Sequence, residues 1–184
     1  MSYATRAQLL ARANVLRVAQ LAVPTSSGVM PDAAQVQAAL LGDASGGVDM
    51  ATAQALQDAV AAVDTALGDA ADLMRSYSVP APESWTGADP AQPVPQALVR
   101  INCQLAMHYL AERAGMLAES DSANYNALLK LLGKHASGEV ALAPTPVVEP
   151  GTTPAADVAH ISSGASRYGR SDGRTDDDDA GWAL

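Results

Sequence analysis

His108 and Glu112 stand four residues apart, a spacing that puts both side chains on one face of a helix. An imidazole and a carboxylate so placed can hold a metal ion. No third ligand stands nearby in the sequence, and Cys103 falls on a different helical face, so the pair is expected to form a polar edge beside Tyr109, with no metal. Cys103 is the only cysteine, which excludes an internal disulfide and fits a reducing compartment. Neither a helix start nor a cluster of bases adjoins it in sequence, so it is expected to be a small buried side chain and not a nucleophile. His135 and His160 have no sequence-adjacent acid or base that would suggest a catalytic triad. Gly46 and Gly47 match no phosphate-cradling pattern. The run of four aspartates at 176–179 lacks the carbonyls and fixed turns of a calcium loop, and is expected to be a solvated acidic stretch. No residue set supports a committed reaction; the chain is expected to be no enzyme and to need no cofactor.

The elements that must carry these residues are helices. The chain has 184 residues, 39 of them alanine, and no phenylalanine. Alanine loses no side-chain entropy in a helix, but a core built on it is thin. Such a body would gain from neighbouring subunits. Residues 6–22 have a helical apolar pattern (Leu9, Leu10, Leu16, Leu21) with Thr5 as N-cap, and Asn14 could break the segment by capping a second helix. Pro31 is placed for a first helical position, opening a helix to about Leu41 with Val36, Leu40 and Leu41 inward.

Asp49 caps the longest predicted element. Along it Ala53, Leu56, Val60, Val63, Leu67, Ala70, Met74 and Tyr77 recur at steps of three and four. That is a seam for packing helix on helix, with Leu56, Val60, Val63, Leu67, Met74 and Tyr77 as its large members. Asp58, Asp64, Asp69 and Asp72 lie off the seam. Residues 80–95 are too proline-rich for a helix and too long for an ordinary connection, so they form a functional loop or a covering strap in which Trp85 must pack. Pro95 then opens a helix to about Leu117, with Leu98, Ile101, Leu105, Tyr109 and Glu112 on one face. Ser120 or Asp121 caps a last helix to His135 with Tyr125, Leu128, Leu129 and Leu132 apolar, and Gly138 ends it. Leu142 is the last residue expected to be buried. The fold class is all-α: a bundle of about five helices over residues 1–143.

Residues 144–184 have no apolar periodicity. They are rich in Pro, Gly, Ser, Thr and Asp, and cannot bury enough apolar surface to offset the entropy of ordering their backbone. They are expected to be an extended arm that needs a partner to hold it, with Val147, Val148 and 158–161 able to pair with a sheet edge. Arg167, Tyr168, Arg170, Trp182 and Leu184 supply the residue types enriched at interface hot spots, so the arm tip is expected to dock in a partner's groove. The alternative is a free end with an incidental tryptophan. The net charge is −9; the basic footprint of a nucleic-acid reader is missing, though an acidic surface suits a channel through which DNA slides. The opening residues lack the apolar run of a signal peptide, and no apolar stretch is long enough to span a membrane.

One ordered series of short motifs resembles a known family. It comprises Met1-Ser2-Tyr3-Ala4-Thr5 before an amphipathic helix with Leu9, then Arg75-Ser76-Tyr77 before a proline-rich loop. Pro93-Val94-Pro95-Gln96-Ala97-Leu98 follows, leading to Ile101, Leu105 and Tyr109. Tyr125-Asn126-Ala127-Leu128 comes next with Leu131-Leu132, and a Ser- and Arg-containing tail ends the series. In order and spacing over most of residues 1–142, the chain resembles the Mu-like head–tail connector (adaptor, or head-completion) proteins of tailed phages. It departs from them around residues 23–30 and 42–49 and in the length of its tail. The resemblance implies a homo-oligomeric ring of about twelve copies at the head–tail junction of the virion, made in the host cytoplasm. One face would meet the portal protein and the other a stopper or tail-completion protein, with DNA passing through unread. A soluble acidic helical binding or regulatory module of a bacterial complex accounts for the composition as well, but not for the motif order.

Overall fold

The computed structural model describes residues 1–43, 47–87 and 91–142, all within one compact unit. The arm, with Arg167, Tyr168, Arg170, Trp182, Leu184, His160 and the aspartates at 176–179, lies outside the described residues, as do the valines proposed for strand pairing.

The described chain is all-α. Seven α-helices follow one another: α1 (Arg6–Leu10), α2 (Val15–Ala22), α3 (Ala33–Leu41), α4 (Met50–Ser76), α5 (Glu83–Thr86), α6 (Gln96–Arg113) and α7 (Glu119–Ala136). Two more helices exist than the apolar pattern suggests. Asn14 divides the first segment: its side chain accepts hydrogen bonds from the amides of Leu16 (2.9 Å) and Arg17 (3.4 Å), starting α2. Leu16 consequently sits at an exposed helix start. The other addition is α5, a single turn inside the proline-rich segment that buries Trp85. The Trp85 carbonyl accepts from the Gln92 amide at 2.8 Å, folding the segment back on itself.

Several boundaries differ from expectation for local reasons. Asp32, not Pro31, caps α3, and its amide donates to Gln35 Oε1 at 2.9 Å. Leu41 is exposed because Gly42 turns the chain out of the helix in the left-handed conformation (φ 87°), leaving Leu40 as the inward residue. The sixth helix stops at Arg113, short of Leu117, because Gly115 is left-handed (φ 66°) and the Met116 amide closes back on the Ala111 carbonyl at 2.9 Å. Glu112, expected on the inward face, is exposed, and Tyr109 is half-buried; Leu110 and Ala111 fill the interior instead. The cap of α7 is Ala118, whose amide donates to Asp121 Oδ2 at 3.2 Å; Asp121 thus serves the helix start from inside its first turn.

The core is organised around α4. This helix packs on α6, α3 and α2, so its buried face is wider than a two-helix seam. Leu56, Val63, Leu67 and Met74 are buried, while Val60 and Tyr77 are half-buried against the core. Beside the large residues runs a row of buried alanines, Ala55, Ala59, Ala62, Ala66 and Ala70. Side chains that small let a neighbouring helix come close, at the cost of apolar area per residue.

The N-terminal residues fasten this arrangement. Tyr3 is buried, and its hydroxyl donates to the Val79 and Pro80 carbonyls at 3.1 and 2.9 Å. Ser2 Oγ donates to Asn102 Oδ1 at 2.8 Å, and Asn102 Nδ2 donates to the Leu67 carbonyl at 3.2 Å. Asn102 is wholly buried in α6, so this bridge joins the N-terminal strap, α4 and α6 through one amide. A buried polar group must keep its partners. Replacing Asn102 by Ala removes the link from α6 to Ser2 and to the Leu67 carbonyl, leaving Ser2 Oγ only its 3.2 Å bond to that carbonyl, and should lower the unfolding free energy by about 1–3 kcal/mol in a urea titration. Leu67→Asp puts an unpaired charge on the buried face of α4. Its circular dichroism should lose the cooperative thermal transition; an unchanged transition would show that Leu67 does not hold the core.

Candidate functional site

A cleft of about 340 Å³ opens between α1, α2, α6 and the start of α7. Its floor is apolar, formed by Leu9, Leu21, Cys103 and Met107. Its walls carry three arginines: Arg12 just beyond α1, Arg17 on α2 and Arg100 on α6. The helical period builds the α6 wall, since Arg100, Cys103, Gln104, Met107 and His108 fall on one stripe at steps of three and one. Asp121 of α7 is the one carboxylate lining it, and it meets Arg17 Nη2 at 3.1 Å. Arg12 is held by neutral oxygens, Gln96 Oε1 at 2.6 Å and the Gln8 carbonyl at 3.4 Å. Arg100 is exposed and pairs with no carboxylate among the described residues. In a chain of net charge −9, this is a local concentration of positive charge.

His108 lies at the cleft edge with its ring flat on Tyr125 of α7, centroids 4.0 Å apart and planes 8° from parallel. Tyr109 meets the Tyr125 ring edge-on at 6.2 Å. The His108–Glu112 spacing is therefore used differently from a metal pair: His108 stacks on an aromatic ring, and Glu112 is exposed. Among the described residues, no group of three His, Cys, Asp or Glu side chains comes together. His135 Nδ1 lies 3.0 Å from the Val140 carbonyl, in the turn that Gly138 makes after α7. Cys103 is buried, and burial raises its thiol pKa although Arg12 works in the opposite direction. A thiol so held is a poor nucleophile.

The seam residues of α4 do not line this cleft. Its members come from separate stretches of chain, and nothing in the separations of Arg12, Arg17 and Arg100 foretells that they converge. The α6 stripe is not the face that the apolar pattern marks, and Cys103, expected on a different helical face from His108, lines the same cleft. Among the described residues no helix is long and apolar enough to cross a membrane.

The architecture is that of a small all-α protein with a cleft that gathers three arginines over an apolar floor. Residues 3–160 match the family described as "Bacteriophage Mu, Gp36", and the chain belongs to that family. No curated protein and no solved structure matches it.

Two phenols report on the packing. Burial pushes the Tyr3 hydroxyl up from 10.0 to about 12, with Arg75 opposing and Glu83 adding to the rise. Burial also raises Tyr109, assisted by Tyr125 and the carboxylates of Asp69 and Glu112. The native chain keeps these protons where the unfolded chain has lost them, so this contribution to stability is complete below pH 10 and falls as pH rises toward 12. Phenolate absorbance of the native chain should show two phenols titrating later than in the urea-unfolded chain, and Tyr3→Phe should remove one of them. Superimposable native and unfolded titrations would mean that neither ring is held as described.

Proposed function

We propose that the chain is a structural protein of the virion: a head–tail connector that forms a ring between the portal and the tail or stopper proteins, around the path of the DNA. The observation that carries this is the family match over residues 3–160, which overlaps most of the 1–142 stretch whose ordered motifs resemble the Mu-like connectors. The physical chemistry supports it. The core on α4 leans on alanine, and a body with little apolar area per helix gains from neighbours. The large exposed apolar side chains stand mostly at helix ends and turns: Leu16 opens α2, Leu41 ends α3, Met50 opens α4, and Met116 and Leu117 form the α6–α7 turn. Such positions suit contact with other subunits. The acidic total suits a channel that lets a duplex slide.

In this reading residues 144–184 are the joining arm, with Arg167, Tyr168, Arg170, Trp182 and Leu184 at its contacts, and a ring holds about twelve copies. Native mass spectrometry of the wild-type chain, alone and with the portal of its phage, should show a closed multiple of the subunit. Truncation after Ala143 should leave helicity and the melting transition intact while abolishing that assembly. A chain that stays a free monomer in both settings would return the function to a soluble binding module. A truncated chain that assembles normally would remove the joining role from the arm.

A further inference from the structure

The arginine cleft gathers more positive than negative charge. Asp121 is engaged with Arg17, Arg12 is held by neutral oxygens, and Arg100 has no carboxylate partner among the described residues. Three guanidiniums against one carboxylate leave about two positive charges in a concave space with an apolar floor. Guanidinium groups bind carboxylates in paired, directional hydrogen bonds. The matching ligand is a segment rich in carboxylates that also carries apolar side chains. At about 340 Å³, the cleft has the size of a few side chains.

The sequence contains such a segment. Four aspartates at 176–179 are followed within five residues by Trp182 and Leu184. From Leu142 to Asp176 the chain runs 34 residues. That length spans about 30 Å as a coil and up to about 110 Å stretched, against a helix diameter of about 10–12 Å. Stretched, that length exceeds the roughly 40 Å of the 27-residue α4.

We propose that the cleft of one copy takes the aspartate run and apolar end of a second copy. This rests on the ring reading above and names its subunit contact. Cleft and acidic end are different patches of one chain, so the contact is head-to-tail. Repetition of a head-to-tail contact gives a ring when the rotation closes. Arg12 and Arg100 receive aspartates, Arg17 keeps Asp121 in place, and Trp182 and Leu184 pack on the half-buried Met107.

Two charge-reversed full-length chains test it. One carries Arg12→Glu and Arg100→Glu in the cleft, and the other Asp177→Arg and Asp178→Arg at the acidic end. Analytical ultracentrifugation should show each alone associating at least about tenfold more weakly than wild type. Mixing the two should restore association, because each cleft then meets an end of opposite charge. Circular dichroism checks that both pairs of substitutions leave the helical fold intact. Association should also weaken as salt rises. If both variants form wild-type rings, the proposed contact is wrong and the ring reading stands. If wild type forms no ring, that reading fails separately. A synthetic peptide of residues 171–184 then decides the cleft: binding to the acidic-end variant that the cleft variant loses sustains it, and no binding overturns it. A mixture of the two variants that stays dissociated also overturns it.

Discussion

The close approach of α4 to its neighbours is the constraint on which the molecule depends. A row of buried alanines beside Leu56, Val63, Leu67 and Met74 lets α6, α3 and α2 surround one long helix. Alanine allows this proximity but contributes little area for each residue ordered. Specific polar contacts therefore carry weight that a Leu-rich core would not ask of them. Asn102 is the clearest case: wholly buried in α6, it bonds both the Leu67 carbonyl and Ser2. Through that amide and Tyr3, the first residues of the chain become part of the core and not a loose end.

The same arrangement creates the cleft. With α4 occupied on one flank of α6, the opposite stripe of α6 faces α1, α2 and α7. Short α1 and α2, separated at Asn14, set Arg12 and Arg17 on different segments, and both turn toward the stripe that bears Arg100. A single unbroken helix over residues 6–22 would have fixed Arg12 and Arg17 in one rigid phase. The break is thus a structural feature with a chemical consequence: positive charge gathers over an apolar floor in a chain that is acidic overall.

The protein's single cysteine and the imidazole at the cleft edge are both engaged in packing. Its buried thiol is raised in pKa, and the imidazole at the cleft edge is stacked on a tyrosine. The chain belongs to the bacteriophage Mu Gp36 family, and its helical body carries exposed apolar side chains at helix ends.

The sequence alone determined much of the local structure, because the signals were local. Thr5, Asn14 and Asp49 are capping residues at the starts they mark, and Gly138 follows the last helix. The all-α class followed from helical apolar spacing and alanine content. Asp32 and Gly115 carried equally local signals, yet Pro31 and the apolar pair Met116 and Leu117 competed with them, and the boundaries moved by a few residues. Tertiary structure decided what depends on neighbours distant in sequence. It widened the buried face of α4, turned Glu112 outward, and gave a one-turn helix to the segment around Trp85. It also brought Arg12, Arg17, Arg100 and Asp121 to one place. Periodicity tells which side of a helix is apolar; only packing tells what the other sides of several helices enclose between them.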